Sequence, residues 1–264
     1  MVLNLRTYQR LKSYLPTPTN LHPPRWQNSR QKYVKPLLIA VSEVKPKNTS
    51  KERSAQDYNI PGYTLHPMNL DNNTGRGIAI YTHKSIEKSV VQIDADLSFE
   101  EACLLEVRLR GGDVLLFCCC YRSPTPSDLS DGNNDKLNRL LKAIANNSYS
   151  HRCIVGDFNF RDVSWLSWTT CHNESSSESK FIEAVRDCYF HQHVENATRR
   201  RGHDDPSLID LVFTDEALQV SVLCHYPPLG KSDHDVITFN FHCYLDFAKS
   251  RKSYNYSKGN YNEM

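Results

Sequence analysis

The stretch CIVGDFNF, residues 153–160, joins a short apolar run to a polar turn. Residues 153–155 predict a buried strand, because a short continuous apolar run before a turn signal is typical of strands covered on both faces. Gly156 permits the close approach of another backbone segment. Asp157 and Asn159 are two residues apart, so in an extended chain they point to one side and offer a phosphate one base and one neutral donor. An ordinary strand followed by a Gly-Asp turn is the alternative interpretation.

Short apolar runs separated by turn signals recur through most of the chain and predict further strands. Besides the run above, they are PLLIAVSE (36–43), RGIAIYT (76–82), ACLLEVRL (102–109), DVLLFCCCY (113–121), SLIDLVFT (207–214), QVSVLCHY (219–226) and HDVITFNF (234–241). Two segments have apolar residues at helical spacing, NNDKLNRLLKAIANN (133–147) and ESKFIEAVRDCYF (178–190). Many strands and few helices indicate an α/β protein in which two largely antiparallel sheets pack together with helices outside.

The composition restricts the class of protein. The chain has 264 residues, which suits one large domain, and 39% hydrophobic residues with a net charge of +2 exclude a disordered or globally nucleic-acid-like composition. Its longest apolar run, residues 114–121, is too short to span a bilayer, and the N-terminus lacks the apolar segment of a signal peptide. Nine cysteines without a C-x-x-C pair indicate neither a disulfide framework nor a zinc site. We therefore expect a soluble intracellular protein without a membrane partner.

Three segments differ in composition. Residues 1–36 are Pro-rich and basic, with no acidic residue, and are predicted to form an atypical N-terminal segment or a basic arm. Residues 37–247 carry the strand and helix patterns and are predicted to form the folded domain. Residues 248–264 are polar and tyrosine-rich without apolar periodicity, which is typical of a linker.

Two further carboxylates stand in or beside apolar runs. Glu43 ends a predicted buried strand, where a carboxylate can hold a hard divalent cation, and a solvated surface glutamate is the alternative. Asp210 lies inside an apolar strand, and a buried carboxylate must be paired or bind a ligand. Both positions are therefore candidate site residues.

Asp233 and His234 adjoin at the start of the last predicted strand. Asp233 can accept a hydrogen bond from the imidazole, fix its tautomer and stabilise its protonated form. A structural histidine at a strand end is the alternative. Together with the carboxylates above, this pair can bind a divalent cation, activate a water and stabilise charge on a phosphoryl centre. The set suits phosphoester hydrolysis.

In their order along the chain, these residues resemble the motif series of the endonuclease/exonuclease/phosphatase superfamily: Glu43, Tyr121, Gly-Asp-Phe-Asn at 156–159, Asp210 and Ser-Asp-His at 232–234. The segments SEVKPKN, YNIPGY, GRGIAIY, CYRSP and SLIDLVFT resemble the apurinic-type endonuclease domain of non-LTR (LINE-type) retrotransposons. The resemblance implies a DNase I-like, four-layered α/β sandwich that uses Mg²⁺ or Mn²⁺ to nick DNA. It also implies a reverse transcriptase domain in the parent polyprotein. We expect a monomer that acts in the nucleus, where its DNA substrate lies.

The resemblance implies a role for each residue. Glu43 would bind the metal ion, Asp157 would position or deprotonate the attacking water, and Asn159 would hold the phosphate. Tyr121 would donate to the phosphate or stand near the leaving group. Asp210 would support Tyr121 or the metal shell.

At the last motif, His234 would stabilise the pentacovalent phosphate and would be oriented by Asp233, which is also a predicted metal ligand. Arg122 is predicted to contact a backbone phosphate, because a guanidinium binds phosphate in a bidentate manner. The first strand of the family, which bears a metal-site asparagine, has no recognisable counterpart. Asn28 is too close to Glu43 for the helix and strand that should lie between them, Asn20 is separated from Glu43 by prolines, and Asn4 precedes Glu43 by 39 residues (43 − 4).

Two other functions are compatible with these patterns. The chain could be a catalytically inactive, truncated remnant that binds nucleic acid through its basic arm, because its first strand is altered. It could also be a phosphatase or deadenylase of the same superfamily. The retroelement-like segments favour the endonuclease.

Overall fold

The computed structural model describes residues 2–6, 35–45, 55–70, 76–93, 99–124, 127–202 and 204–243. The strands are β1 (Val2–Arg6), β2 (Leu38–Ser42), β3 (Tyr63–Met68), β4 (Ile78–His83), β5 (Val90–Ile93), β6 (Ala102–Arg108), β7 (Val114–Tyr121), β8 (His151–Asp157), β9 (Val163–Ser164), β10 (Thr169–Thr170), β11 (His191–Gln192), β12 (Asp210–Thr214), β13 (Val220–Tyr226) and β14 (Val236–His242). The helices are α1 (Ser127–Ala145) and α2 (Ser177–Asp187).

Two six-stranded sheets form the body of the protein. The first sheet has the order β13-β14-β1-β2-β4-β3, and the second has the order β11-β12-β8-β7-β6-β5. Neighbouring strands are antiparallel except in the β1–β14 and β7–β8 pairs, which are parallel. Apolar side chains from both sheets share one core between them. The predicted α/β sandwich of two mixed, largely antiparallel sheets is confirmed.

Strand β7 shows why the central runs are continuously apolar. Leu115 and Phe117 lie in the core between the sheets, whereas Leu116 and Cys118 lie in a second core beneath the helices. Successive side chains of a strand point to opposite faces, so a strand that is covered on both faces needs apolar residues throughout. Tyr121, the last residue of β7, belongs to the inner series and lies between the sheets.

Both described α-helices cover the outer face of the second sheet. Helix α2 begins after Ser176, whose Oγ accepts a hydrogen bond from the Ser179 backbone N–H at 3.2 Å. The two predicted helices are confirmed, although α1 begins before residue 133. In the described ranges no α-helix lies on the outer face of the first sheet, where Tyr63 and Tyr81 belong to a small apolar cluster. Neither described helix is long and apolar enough to cross a membrane.

Strand β1 lies in the predicted atypical segment at residues 1–36 and belongs to the first sheet. It occupies the middle of the first sheet, antiparallel to β2 with Val2 opposite Ile39, and parallel to β14 with Asn4 opposite Asn240. At about 3.3 Å per residue, this register places the backbone of Asn4 about 20 Å along the sheet from Glu43. A strand is thus present, but it does not bring Asn4 to the end of the sheet that carries Glu43. Residues 7–34 and the predicted linker at 248–264 lie outside the described residues.

Gly156 lies opposite Cys120 at a close approach between β8 and β7. Its φ is +151°, and a Cβ atom at this position would lie 1.9 Å from the carbonyl oxygen of Cys120 on β7. A rotamer change cannot relieve a clash between a Cβ atom and a backbone oxygen. The predicted close backbone approach at this glycine is confirmed.

We expect Gly156→Ala to lower the free energy of unfolding by on the order of 3 kcal/mol, because the backbone must move to admit the methyl group. Equilibrium urea unfolding measures the difference. Gly132→Ala on α1 is the matched control, since its added Cβ meets no atom within 4 Å. That control should leave stability unchanged or raise it by up to about 1 kcal/mol. A Gly156→Ala variant as stable as the wild type would contradict the close approach.

Candidate active site

Three predicted site residues form one row across the second sheet. Tyr121 ends β7, Asp157 ends β8 and Asp210 begins β12. The strand register pairs Tyr121 with Asp157, and Asp157 with Asp210. Residues directly opposite each other on neighbouring strands share a face and lie about 5 Å apart. Strand pairing therefore brings all three side chains together on the inner face of the sheet.

Asp157 occupies the centre of this row and is 1% exposed. Its Oδ1 accepts a hydrogen bond from the Asn159 backbone N–H at 3.1 Å. Burial, followed by the charges of Asp210 and Glu43, raises the pKa of Asp157 well above its usual range, against the opposing effects of His234 and the Asn159 N–H. Negative charge held out of water in this way requires a proton or a cation beside it.

His234 is hydrogen-bonded to Asp210. Its Nδ1 lies 2.8 Å from Asp210 Oδ2, and the ring nitrogen donates because a carboxylate oxygen accepts. Burial lowers the pKa of His234, but the hydrogen bond to Asp210 and the charges of Asp210, Asp157 and Asp233 outweigh it and raise the pKa to about 9. The imidazole is therefore protonated at neutral pH.

Asp210 makes the hydrogen bond that the sequence predicts for Asp233, although the charge of Asp233 also helps to raise the pKa of His234. Asp233 Oδ1 is 3.9 Å from His234 Nε2, too far for a hydrogen bond, and its Oδ2 accepts from Arg199 Nε at 2.8 Å. Burial raises the pKa of Asp233, but the hydrogen bond and charge of Arg199 lower it overall. Neighbours in an extended segment point to opposite sides, so the adjacent Asp233 is poorly placed to orient the ring, whereas Asp210 faces it from another strand.

Glu43 reaches the row from the first sheet. Its Oε1 accepts from the Tyr121 hydroxyl at 2.6 Å, and its Oε2 accepts from Arg76 Nη2 at 3.2 Å. Burial, together with the hydrogen bond to Glu43, raises the pKa of Tyr121, so the phenol stays protonated and acts as a donor. Glu43 therefore supports Tyr121. Of the two roles that the resemblance implies for Asp210, support of Tyr121 or of the metal shell, the second stays a prediction.

Arg122 points into the protein and is 7% exposed. Its Nε donates to Asn134 Oδ1 at 2.6 Å, and its Nη1 donates to the carbonyls of Phe158 and Asn159 at 3.3 and 3.2 Å. The guanidinium also lies 3.9 Å from the ring centroid of Phe160. Asn159 Nδ2 donates in return to the Arg122 carbonyl at 2.8 Å. This geometry does not support the predicted phosphate contact by Arg122, and it fixes the turn after β8 instead.

Thr198 is a buried residue that sequence reasoning missed. Its Oγ1 accepts from the backbone N–H groups of Ile209 and Asp210 at 3.3 and 3.1 Å, and its carbonyl accepts from the Asp235 N–H at 2.7 Å. Thr198 thus ties the start of β12 to the segment that carries His234. Nothing in its local sequence, a threonine before three arginines, indicates this position.

The site has a donor set that fits a divalent cation. Among the described residues, Asp157, Asp210 and His234 offer ligand atoms that all lie within 4.8 Å of one another. Carboxylate oxygens are the ligands that hard divalent cations prefer, and two adjacent buried carboxylates supply negative charge for a cation to neutralise.

The two predicted metal ligands stand outside that group. Glu43 accepts hydrogen bonds through both oxygens, although its charge is close enough to raise the pKa of Asp157. Asp233 is paired with Arg199. Of the two, only Glu43 therefore influences the pKa of Asp157.

Comparisons with known proteins show what the sequence and the fold of this chain are similar to. A family model described as endonuclease-reverse transcriptase matches residues 115–238, a range that includes the row and His234. The endonuclease domain of TRAS1, a telomere-specific non-LTR retrotransposon, has a similar fold, with a TM-score of 0.51 and 14% identity over 70% of this chain and 80% of that chain. The family-model match and the similar fold both agree with the superfamily that the motif order resembles. The resemblance predicted from the motif order is confirmed.

Two other solved structures also match this chain. A family protein from Leptotrichia buccalis is 15% identical over 76% of this chain and 85% of that chain, with a TM-score of 0.47. A humanized form of D. rerio TDP2 with 14 mutations is 15% identical over 76% of this chain and 84% of that chain, with a TM-score of 0.49. No curated protein matches the sequence.

In the metal-free protein, we expect His234 to titrate with a pKa of about 9. A histidine titration by NMR, assigned by the signal lost in His234→Gln, measures this value. Asp210→Asn should lower the pKa, because it removes the charge that stabilises the imidazolium. Asp233→Asn is the control and should have a smaller effect, since Asp233 lies 3.9 Å from the ring. Equal effects of the two substitutions would contradict the pairing.

We expect Thr198→Val to lower the free energy of unfolding by about 1–3 kcal/mol, because it leaves two buried backbone N–H groups without an acceptor. Thr198→Ser keeps the hydroxyl and should cost about 1 kcal/mol or less. Urea unfolding compares the two variants. If valine is tolerated as well as serine, the hydroxyl does not hold the start of β12.

Proposed function

We propose that this protein is a metal-dependent phosphodiesterase that nicks DNA. The observation that carries the proposal is the convergence of Asp157, Asp210 and His234 with the Glu43–Tyr121 pair at one end of the sandwich. Buried carboxylates, a protonated imidazole and a phenol donor suit the attack of water on a phosphodiester, which needs a base and donors for the growing charge.

Each side chain has a role that follows from its contacts. Asp157, with a pKa raised by burial, positions the attacking water and accepts its proton. His234 is oriented by Asp210 and donates from Nε2 to the phosphate as negative charge develops. Asn159 uses one amide hydrogen on the Arg122 carbonyl and holds the phosphate with the other.

Tyr121 stands near the leaving group in this proposal, held by its hydrogen bond to Glu43. A divalent cation, Mg²⁺ or Mn²⁺, would supply Lewis-acid stabilisation of the phosphoryl charge when bound. The adjacent carboxylates of Asp157 and Asp210 would hold it, and the charge of Glu43 would favour it from beside them. We assign Asp233 to the pairing with Arg199 and not to the metal.

DNA is the proposed substrate, nicked for retroelement insertion, because the endonuclease-reverse transcriptase family model covers most of the site. The similar fold of the TRAS1 endonuclease domain supports the same class of reaction. A reverse transcriptase domain in the parent polyprotein, action as a monomer and residence in the nucleus belong to this proposal.

A second candidate function is nucleic-acid binding without cleavage. The observation that favours it is the register of β1, which keeps the backbone of Asn4 about 20 Å from Glu43 and so supplies no asparagine to the site from that strand.

The purified protein should nick supercoiled plasmid in Mg²⁺ and fail to do so in a chelator. His234→Ala and Asp157→Asn should each lower the nicking rate by about 10²-fold or more, because they remove a charge stabiliser and a base. Poly(A) RNA and inositol phosphates, tested in parallel, should be poorer substrates.

The exposed pair His172–Asp162 provides the matched control, with Nε2 and Oδ2 3.0 Å apart. Because this pair lies outside the row, His172→Ala should nick at the wild-type rate. DNA binding without metal-dependent nicking would establish the second candidate in place of the first. A protein that neither binds nor cuts DNA would contradict both.

A further inference from the structure

The site is acidic although its proposed substrate is an anion. Glu43, Asp157, Asp210 and Asp233 all lie at the same end of the sandwich as His234. A protein that binds a DNA backbone uses cationic donors for the phosphates, and a guanidinium is the strongest of these. Among the residues that the structure describes, we consider three guanidinium groups near the row, those of Arg76, Arg122 and Arg199, which differ in how many nitrogens are free of protein partners.

Two of the three are committed to the protein. Arg122 is 7% exposed and donates to a side chain and two carbonyls. Arg76 donates from Nη2 to Glu43, and its Nε and Nη1 are buried out of reach of a substrate. Each of these two groups therefore offers a phosphate fewer accessible, unpartnered nitrogens than the third does.

Arg199 is placed differently. It lies opposite His234 on one side and opposite Ser207 on the other, both in antiparallel bridges, so its side chain shares a face with the imidazole at a Cβ separation of about 5 Å. Its Nε donates to Asp233 Oδ2 at 2.8 Å. Within the described part of the chain, its Nη1 and Nη2 have no hydrogen-bond partner.

The neighbouring arginines do not share this geometry. Arg200 donates from Nη1 to Asp235 Oδ2 at 2.7 Å and is 56% exposed. Arg201 is exposed in the same loop. Arg199 therefore differs from them: its side chain is 12% exposed, Asp233 holds its Nε beside His234, and its Nη1 and Nη2 are not among the buried nitrogens.

We propose that Arg199 is a substrate-binding residue whose Nη1 and Nη2 contact a DNA phosphate within one nucleotide of the scissile bond. The inference rests on the proposed endonuclease function. Asp233 acts as the anchor that aims the guanidinium, which gives the Ser-Asp-His segment a role in substrate binding in addition to the placement of His234.

A scan with modified DNA tests this contact. Each duplex carries one neutral methylphosphonate in place of a phosphate near the nick, and kcat/KM is measured for every position. In the wild type, the modification at the contacted phosphate should lower kcat/KM by about 10-fold or more, the value of a charged hydrogen bond. In Arg199→Ala the modification at that position should no longer lower kcat/KM more than it does at other positions, because the variant has no guanidinium to contact the phosphate.

Arg201→Ala is the matched control, since it removes the same charge from an exposed position of the same loop and should keep the wild-type profile. If thermal melting shows that Arg199→Ala is unfolded, Arg199→Lys provides the test. Lysine keeps the charge but cannot donate two parallel hydrogen bonds, so the modification at the same position should lower kcat/KM less than in the wild type. Arg199 variants that keep the full wild-type profile would overturn the proposal.

The same duplexes separate this inference from the proposed function. If the wild type binds DNA without cutting it, fluorescence anisotropy with the modified duplexes tests the Arg199 contact by affinity alone, with the same pattern expected. If the wild type neither cuts nor binds the unmodified duplex, the proposed function fails, and the contact fails with it.

Discussion

The burial of the Asp157 carboxylate is the constraint on which the site depends. This side chain is 1% exposed and lies in strand register beside Asp210, so two acidic groups share a region from which water is largely excluded. The protein offsets part of this charge with the protonated His234 and the Asn159 N–H. The part that is not offset is the charge that we propose a divalent cation neutralises. Strand pairing places these groups. The close contact of β7 and β8 at Gly156 is therefore needed to hold Tyr121 and Asp157 side by side.

Much of the fold can be predicted from apolar periodicity. Eight apolar runs in the sequence correspond to strands of the structure. Their side chains are apolar on each face that packs against another layer of the protein. The strands are β2, β4, β6, β7, β8, β12, β13 and β14. Strand β1 is not predicted, because its apolar pattern covers only five residues and is followed by a proline-rich segment. Asp210 can be recognised as a site residue because a carboxylate inside an apolar run must be paired or bind a ligand. Tyr121 and Asp157 are recognised through motif order.

The contacts between these residues could not be predicted from sequence, because they depend on register between distant strands. Asp233 is adjacent to His234 in sequence, yet Asp210, from another strand, holds the imidazole. Arg122 has the right chemistry for a phosphate, but the turn after β8 draws its guanidinium inward. Arg199 has the same chemistry and lies beside His234 only because its segment forms bridges on both sides. Sequence spacing identifies the set of groups, and tertiary pairing decides which of them meet.

The central claim is that the buried carboxylates of Asp157 and Asp210 form a cation site. Thermal unfolding at increasing Mg²⁺ or Mn²⁺ concentration tests this claim most directly. A cation that binds the folded state alone raises the Tm with concentration, so the wild-type Tm should rise steadily with either ion. Asp157→Asn should be at least as stable as the wild type without metal, because it removes a buried like charge, and its Tm should respond weakly to metal. A wild-type Tm that does not change with either ion would contradict the account.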